Sequence, residues 1–280
     1  MKPQPIFNER TQLELDRYVM RLPHALGVYG EQGSGLKTAA EYIATICSAE
    51  TTVILPEKND KVDVENGSIT IEVVRRLYGM TRSKSDHRRC VIITAADTMS
   101  HAAQNAFLKL LEEPVKNVSF ILLAHHPQRL LATVRSRLQM QRILPLTDGQ
   151  SAALLDQLGV TDTTKRQQLL FLAAGRPAQL AYLSEDEVAF TAEAALLRQA
   201  RTFVQGSQYE RLVAAQAIKG SKQSALKIVA YAIYLLKREV IAKQAADGAT
   251  LALLERLEHA TRRLESNGNV RLVLASTILA

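Results

Sequence analysis

From Val91 to Ala124 the chain reads VIITAADTMSHAAQNAFLKLLEEPVKNVSFILLA. Val91, Ile92 and Ile93 form a short β-branched run of the kind that fills a buried strand. Met99, Ala102, Ala103, Ala106, Leu110 and Leu111 then recur at helical spacing until Pro114, whose ring ends a helix. Ser119 to Ala124 is nearly all apolar, the pattern of a central parallel strand covered on both faces. Strand, helix and strand in succession predict a parallel unit, and the segments before it extend the alternation.

On the N-terminal side, Leu13 to Arg21 reads as a helix and Ala25 to Tyr29 as a buried strand running into a glycine-rich turn. Thr38 to Cys47 follows as a helix with Ala40, Ile43, Ala44 and Cys47 on one face. Val53 to Leu55 is a strand, Glu57 to Gly67 a polar loop, and Ile71, Val74, Arg75 and Tyr78 mark another helix. The whole predicts a three-layer α/β domain with a parallel sheet over residues 1–146. After Pro145 the pattern changes. Thr147-Asp-Gly-Gln150 fits a capping box, and the rest is helical, broken at glycines. Residues 147–184 are expected to form a small helical domain and 185–280 a larger all-α one. In the latter, Ile228 to Leu236 reads as core, with Tyr231 and Tyr234 at helical spacing, and Leu251, Leu254, Leu257 and Leu264 fall on one helix face.

The 280 residues are 47% hydrophobic and 22% charged, an ordinary globular balance that excludes a disordered or fibrous chain. The longest apolar run, Ile228 to Leu236, is less than half a membrane span. The first residues, MKPQPIFNERTQ, have no apolar core of a secretory signal, so a cytoplasmic location and no membrane partner are expected. Cys47 and Cys90 alone supply neither a disulfide framework nor a four-thiolate zinc site, and no metal is expected. A net charge of +7 permits an acidic partner, whereas the absence of Trp and 5% aromatics argue against reading single strands by stacking. Arg82 to Arg89 is a basic run whose simpler reading is a solvated loop.

The turn after the first strand is Gly30-Glu-Gln-Gly33-Ser-Gly35-Leu36-Lys37-Thr38. A phosphate loop needs glycines, then Lys for the phosphate oxygens and Ser or Thr for magnesium, in the order G-x-x-x-x-G-K-[ST]. Gly30 and Gly35 fit, but Leu36 takes the lysine position and Lys37 the hydroxyl position. Shifting the frame restores Lys37 and Thr38 yet puts Glu31 and Leu36 where glycines belong. The strand at Val91 ends in Thr94 and Ala95, where an ATPase carries acidic residues for magnesium and water, and Asp97 comes three residues late. The loop is therefore a degenerate phosphate loop or an ordinary strand-to-helix turn. His125-His126 is a poor chelate, because adjacent strand residues point to opposite faces, though either ring has the position to line the pocket.

Ala102-Ala-Gln-Asn105-Ala-Phe-Leu-Lys109-Leu-Leu-Glu112-Glu113-Pro114, Phe120-Ile-Leu-Leu-Ala124 and Leu130-Leu-Ala-Thr133-Val-Arg135-Ser136-Arg137-Leu138 together resemble the clamp-loader branch of the AAA+ ATPases, and within it the delta-prime type of the bacterial DNA polymerase III assembly. Leu22-Pro-His24-Ala25, Leu55-Pro56-Glu57, Ile71 to Arg75 and Leu264 to Leu272 extend the likeness over most of the chain. It implies an AAA+ domain, a lid domain and a collar for assembly. It implies gamma/tau and delta subunits, the sliding clamp and primer–template DNA as partners. Productive nucleotide binding is not expected, although weak ATP or ADP binding fits the vestigial loop. By the same resemblance, Ser136 and Arg137 match the Ser-Arg motif that supplies an arginine finger to a neighbour's ATP. Leu138 stands where that motif has Cys, Ala178 where active relatives carry a sensing Arg, with Arg176 shifted nearby, and the zinc module of many relatives is absent. Two rival readings are an active ATPase using Lys37, and a DNA-binding or regulatory protein on a decayed ATPase fold.

Overall fold

Five parallel strands lie side by side in the order Glu50–Ile54 (β2), Arg89–Ile93 (β5), Val118–Ala124 (β6), Ala25–Tyr29 (β1) and Gln139–Arg142 (β7) in a computed structural model. It describes residues 5–64, 66–82, 87–217, 222–245, 247–266 and 268–279. The chain divides into two compact units, Met1–Glu185 and Asp186–Ala280.

In the first unit β6 sits mid-sheet, and alternate residues feed opposite cores, because successive side chains on a strand point to opposite faces. Val118, Phe120, Leu122 and Ala124 pack with Ile71–Arg82 (α3) and His101–Glu112 (α4). Ile121 and Leu123 pack with Glu9–Met20 (α1) and Leu36–Ile46 (α2). This is the three-layer α/β arrangement that the apolar runs predict. The face expected on α2 (Ala40, Ile43, Ala44, with Cys47 at its C-cap) is buried.

Several local expectations need correction. The strand placed at Val53 to Leu55 begins earlier, at Glu50. The polar loop from Glu57 holds a small hairpin, Glu57–Lys58 (β3) against Lys61–Val62 (β4). Its turn residues Asn59 and Asp60 both have positive φ, as the favoured two-residue turns require. Strand β7 was not anticipated, since its residues are mostly polar and it pairs only with β1 at the sheet edge. The buried face of α4 is Ala103, Gln104, Phe107, Leu110 and Leu111, with Ala102 outside. Residues 83–86 of the basic run and Asn267 lie outside the described residues.

A short helix, Ala132–Arg135 (α5), precedes β7, and three more complete this unit: Asp148–Gln157 (α6), Thr163–Ala173 (α7) and Pro177–Glu185 (α8). The capping box forms: Thr147 Oγ1 accepts from Gln150 N at 3.2 Å, and Gln150 Oε1 accepts from Thr147 N at 3.0 Å. The second unit is all α: Glu187–Gln205 (α9), Gln208–Ala217 (α10), Lys222–Lys243 (α11), Gly248–Glu265 (α12) and Val270–Leu279 (α13). Ile228, Val229, Ala232 and Leu236 of α11 are core, and Tyr231 donates its hydroxyl to the buried Glu193 at 2.6 Å, alongside Lys227. Of the expected leucine face, Leu257 and Leu264 are buried, whereas Leu251 is exposed near the start of α12. Among the described residues no helix is long and apolar enough to cross a membrane.

Candidate functional site

The carboxyl ends of β1, β5, β6 and β7 converge on one edge of the sheet, where ligands of open parallel sheets bind. There they border a cavity of about 710 Å³. Tyr29 and Gly30 enter it from β1, Ala95 and Asp97 from the turn after β5, His125 and His126 from the end of β6, and Arg142 from β7. Glu31, Gln32, Ser34, Thr98, Gln128, Arg129 and Arg176 complete its charged and polar lining. Asp97 is buried and accepts the backbone N–H of His126 at 2.8 Å, and His125 Nδ1 stands 2.9 Å from the Gly30 carbonyl. These two bonds tie the glycine loop and the β5 turn to the end of β6. Ser34 is 3% exposed, and its hydroxyl has no hydrogen-bond partner among the described residues.

The rest of the loop turns away from this space. Gly33 and Gly35 hold φ of +83° and +86°, the left-handed region that glycine enters without strain. The Gly33 carbonyl accepts the N–H of Ala178 at 3.0 Å, so the start of α8 sits on the loop, with Pro177 close to Gly35. Leu36 is 6% exposed and belongs to the core between the sheet and α1–α2. Lys37, one residue further round the helix, is 62% exposed and faces Glu41 at 3.7 Å. Thr38 is exposed, and neither it nor Lys37 lines the cavity. Thr94 spends its hydroxyl on the Ile54 carbonyl at 2.9 Å. Thus Gly30, Ser34, Ala95 and Asp97 come together, while Gly33, Gly35, Leu36, Lys37, Thr38 and Thr94 do not face the space.

Arg129, Arg142 and Arg176 are the lining cations that the motif frames did not point to as a set, because they come from three separate segments. Arg176 also caps α7, donating to the carbonyls of Ala173 and Leu172 at 2.9 and 3.0 Å. Among the described residues no group of His, Cys, Asp and Glu could hold a metal. Burial raises both thiols, with Cys90 pushed up to about 12.

Ser136 and Arg137 stand elsewhere, before the amino end of β7. The length of that strand, about 10 Å, separates them from Arg142 at the cavity. Ser136 closes α5 by donating to Thr133 O at 3.1 Å. Arg137 is 38% exposed, and donates to Glu112 Oε1 at 2.8 Å and Thr133 O at 3.0 Å. Gln104, 3% exposed on α4, clips this segment in place. Its Nε2 donates to Met99 O and Arg129 O, both at 3.2 Å, and its Oε1 accepts from Leu131 N at 2.6 Å.

Sheet order, a glycine turn after β1 and a cavity at the carboxyl edge define an AAA+-type α/β protein with an added helical unit. The fold is similar to that of a DNA polymerase III gamma subunit-related protein from Thermotoga maritima, with a TM-score of 0.52 at 15% identity over 97% of this chain and 98% of that one. Residues 10–147 match the family described as DNA polymerase III, delta subunit. The DNA polymerase III subunit delta' of Pseudomonas aeruginosa is 30% identical over 159 residues, 55% of this chain and 45% of that protein. Replication factor C subunit 3 of Blastobotrys adeninivorans is 28% identical over 92% of this chain and 82% of its own length. Over residues 10–147 the chain is a member of the clamp-loader family of AAA+ proteins. Its match spans less than half the length of the Pseudomonas relative.

Proposed function

We propose that this chain is a non-hydrolysing, delta-prime-like subunit of a cytoplasmic, bacterial clamp loader of the DNA polymerase III type, lending Arg137 to ATP held by a neighbouring gamma/tau subunit. Delta subunits, the sliding clamp and primer–template DNA are its further partners. One observation carries the reading: the loop position that needs an ammonium holds the buried Leu36, while the solvent-accessible Arg137 lies away from the chain's own cavity. A magnesium–triphosphate does not fit this cavity. Lys37 faces Glu41 on the outer side of α2, Thr94 is spent on the backbone, and Ala95 offers no ligand atom. The cavity's arginines give phosphate oxygens partners without a metal, so residual ATP or ADP binding is weak and independent of magnesium.

Arg137 suits the assigned task. A planar, permanently charged guanidinium stabilises charge that develops during phosphoryl transfer, and in GTPases such a group accelerates hydrolysis roughly 10³–10⁵-fold. Its tether to Glu112 is a partly exposed pair, the kind worth about 1 kcal/mol or less, which a triphosphate can outcompete. In a complex assembled with gamma/tau and delta subunits, Arg137→Ala should lower ATP hydrolysis by tenfold or more without loss of assembly. Hydrolysis at the wild-type rate would overturn the finger. The active-ATPase reading is less well supported, because it needs Lys37 at a cavity that it does not reach.

A further inference from the structure

At the opposite edge of the sheet a second depression, of about 360 Å³, opens where the strands begin. Its lining comes from four places in the chain: Arg21 at the end of α1, Arg88 and Arg89 at the start of β5, Lys116 in the turn before β6, and His24 just before β1. None of the described residues lining it is acidic. Glu50 and Glu113, the carboxylates next to these segments in sequence, are outside the lining. Arg21, Arg88 and Lys116 are exposed, and each reaches the depression from a different segment, so their mutual repulsion is not relieved by a lining carboxylate. Asn117 and Ser119 line the same space and add polar groups.

We propose that this amino-edge depression is a contact site for the phosphodiester backbone of duplex DNA. The inference rests on the clamp-loader reading and adds to it the residues that grip the polynucleotide. The origin of the cations in well-separated segments of the chain suits a polyanion lying across the edge better than a small anion enclosed by backbone amides. With no Phe, Tyr or Trp in the lining for a base to stack on, the contact is to phosphates and is blind to sequence. The formal charge of +7 works in the same direction.

The test is binding of the full chain, alone and in the assembled complex, to a fluorescent primer–template duplex across a salt series. The triple variant Arg21→Ala, Arg88→Ala, Lys116→Ala is compared with a charge-matched control on the second unit, Arg198→Ala, Arg262→Ala, Arg271→Ala. The site predicts at least tenfold weaker binding by the first variant at low salt. It also predicts a log K against log salt slope smaller by about two to three, at roughly 0.9 per phosphate contact. Equal losses in both variants, or none in either, overturn it. So does a first variant that binds duplex normally but loses polyglutamate, which would mark an acidic protein as the occupant. DNA-free ATP hydrolysis by the complex tests Arg137 separately and is expected to be unchanged in the triple variant.

Discussion

The Arg137 guanidinium reaches back 2.8 Å to the Glu112 carboxylate at the end of α4, so the residue proposed to act on a neighbour's ATP is held by an ion pair within its own chain. Both side chains are partly exposed, and water and salt screen such pairs. A double-mutant cycle of Arg137→Ala and Glu112→Gln, read by urea unfolding of the isolated chain, should give a coupling of about 0.2–1 kcal/mol that shrinks with added salt. A coupling above about 2 kcal/mol would mean that Arg137 is chiefly a structural residue.

Gln104 presents the opposite balance. It is buried, and its amide satisfies two carbonyls and one backbone N–H across the gap between α4 and the segment leading to α5. Leucine of similar size would take these partners away from backbone groups that are at least partly shielded from water. Gln104→Leu is therefore expected to destabilise the chain by about 2–4 kcal/mol. The measurement is the denaturant midpoint, and a shift equivalent to less than about 0.5 kcal/mol would contradict the clip.

Much of the fold was legible because burial writes a periodic signature. The apolar run ending at Ala124 forecast a doubly covered strand, and the Ala40, Ile43, Ala44 stripe forecast the inner face of α2. Strand β7 was not legible, since an edge strand paired only with β1 can be polar and still complete the sheet. Gln104 was hidden for a related reason: a buried amide is explained by partners as far away in sequence as Leu131, which periodicity does not encode. The order of the loop residues alone raised the expectation of a degenerate phosphate loop. Their spatial partners, Arg129, Arg142 and Arg176 around the cavity and the start of α8 on Gly33, depend on tertiary placement.

Cys90 gives a pH dependence with a definite sign. Burial pushes its folded pKa up to about 12 from an ordinary 9.0, with Cys47 nearby acting in the same direction. The folded thiol keeps its proton where the unfolded thiol has lost it, so its stabilising contribution is complete below about pH 9 and is lost as pH rises towards 12. The slope approaches about 1.4 kcal/mol per pH unit for this one group. Unfolding free energy followed from pH 8 to 11 should fall less steeply in Cys90→Ala than in the wild type. Parallel curves would show that ionisation of this thiol does not govern the alkaline loss.

The contact between Gly33 and α8 predicts that two glycine substitutions act with opposite signs. At Gly33 the backbone is left-handed, and an added Cβ would stand 3.0 Å from Gln179 Cβ, beside the bond from Ala178 N to the Gly33 carbonyl. Gly33→Ala should cost about 1–2 kcal/mol for the left-handed conformation, plus whatever the crowded α8 must yield. The Ala178 amide should then exchange its hydrogen faster as that bond weakens. Gly149, within α6, has nothing within 4 Å of an added Cβ, so Gly149→Ala should stabilise by about 0.5–1 kcal/mol. Hydrogen exchange and urea unfolding of both variants distinguish a loop fastened to α8 from one that merely passes beside it. If Gly33→Ala leaves Ala178 exchange and stability unchanged, the loop is not held by that bond.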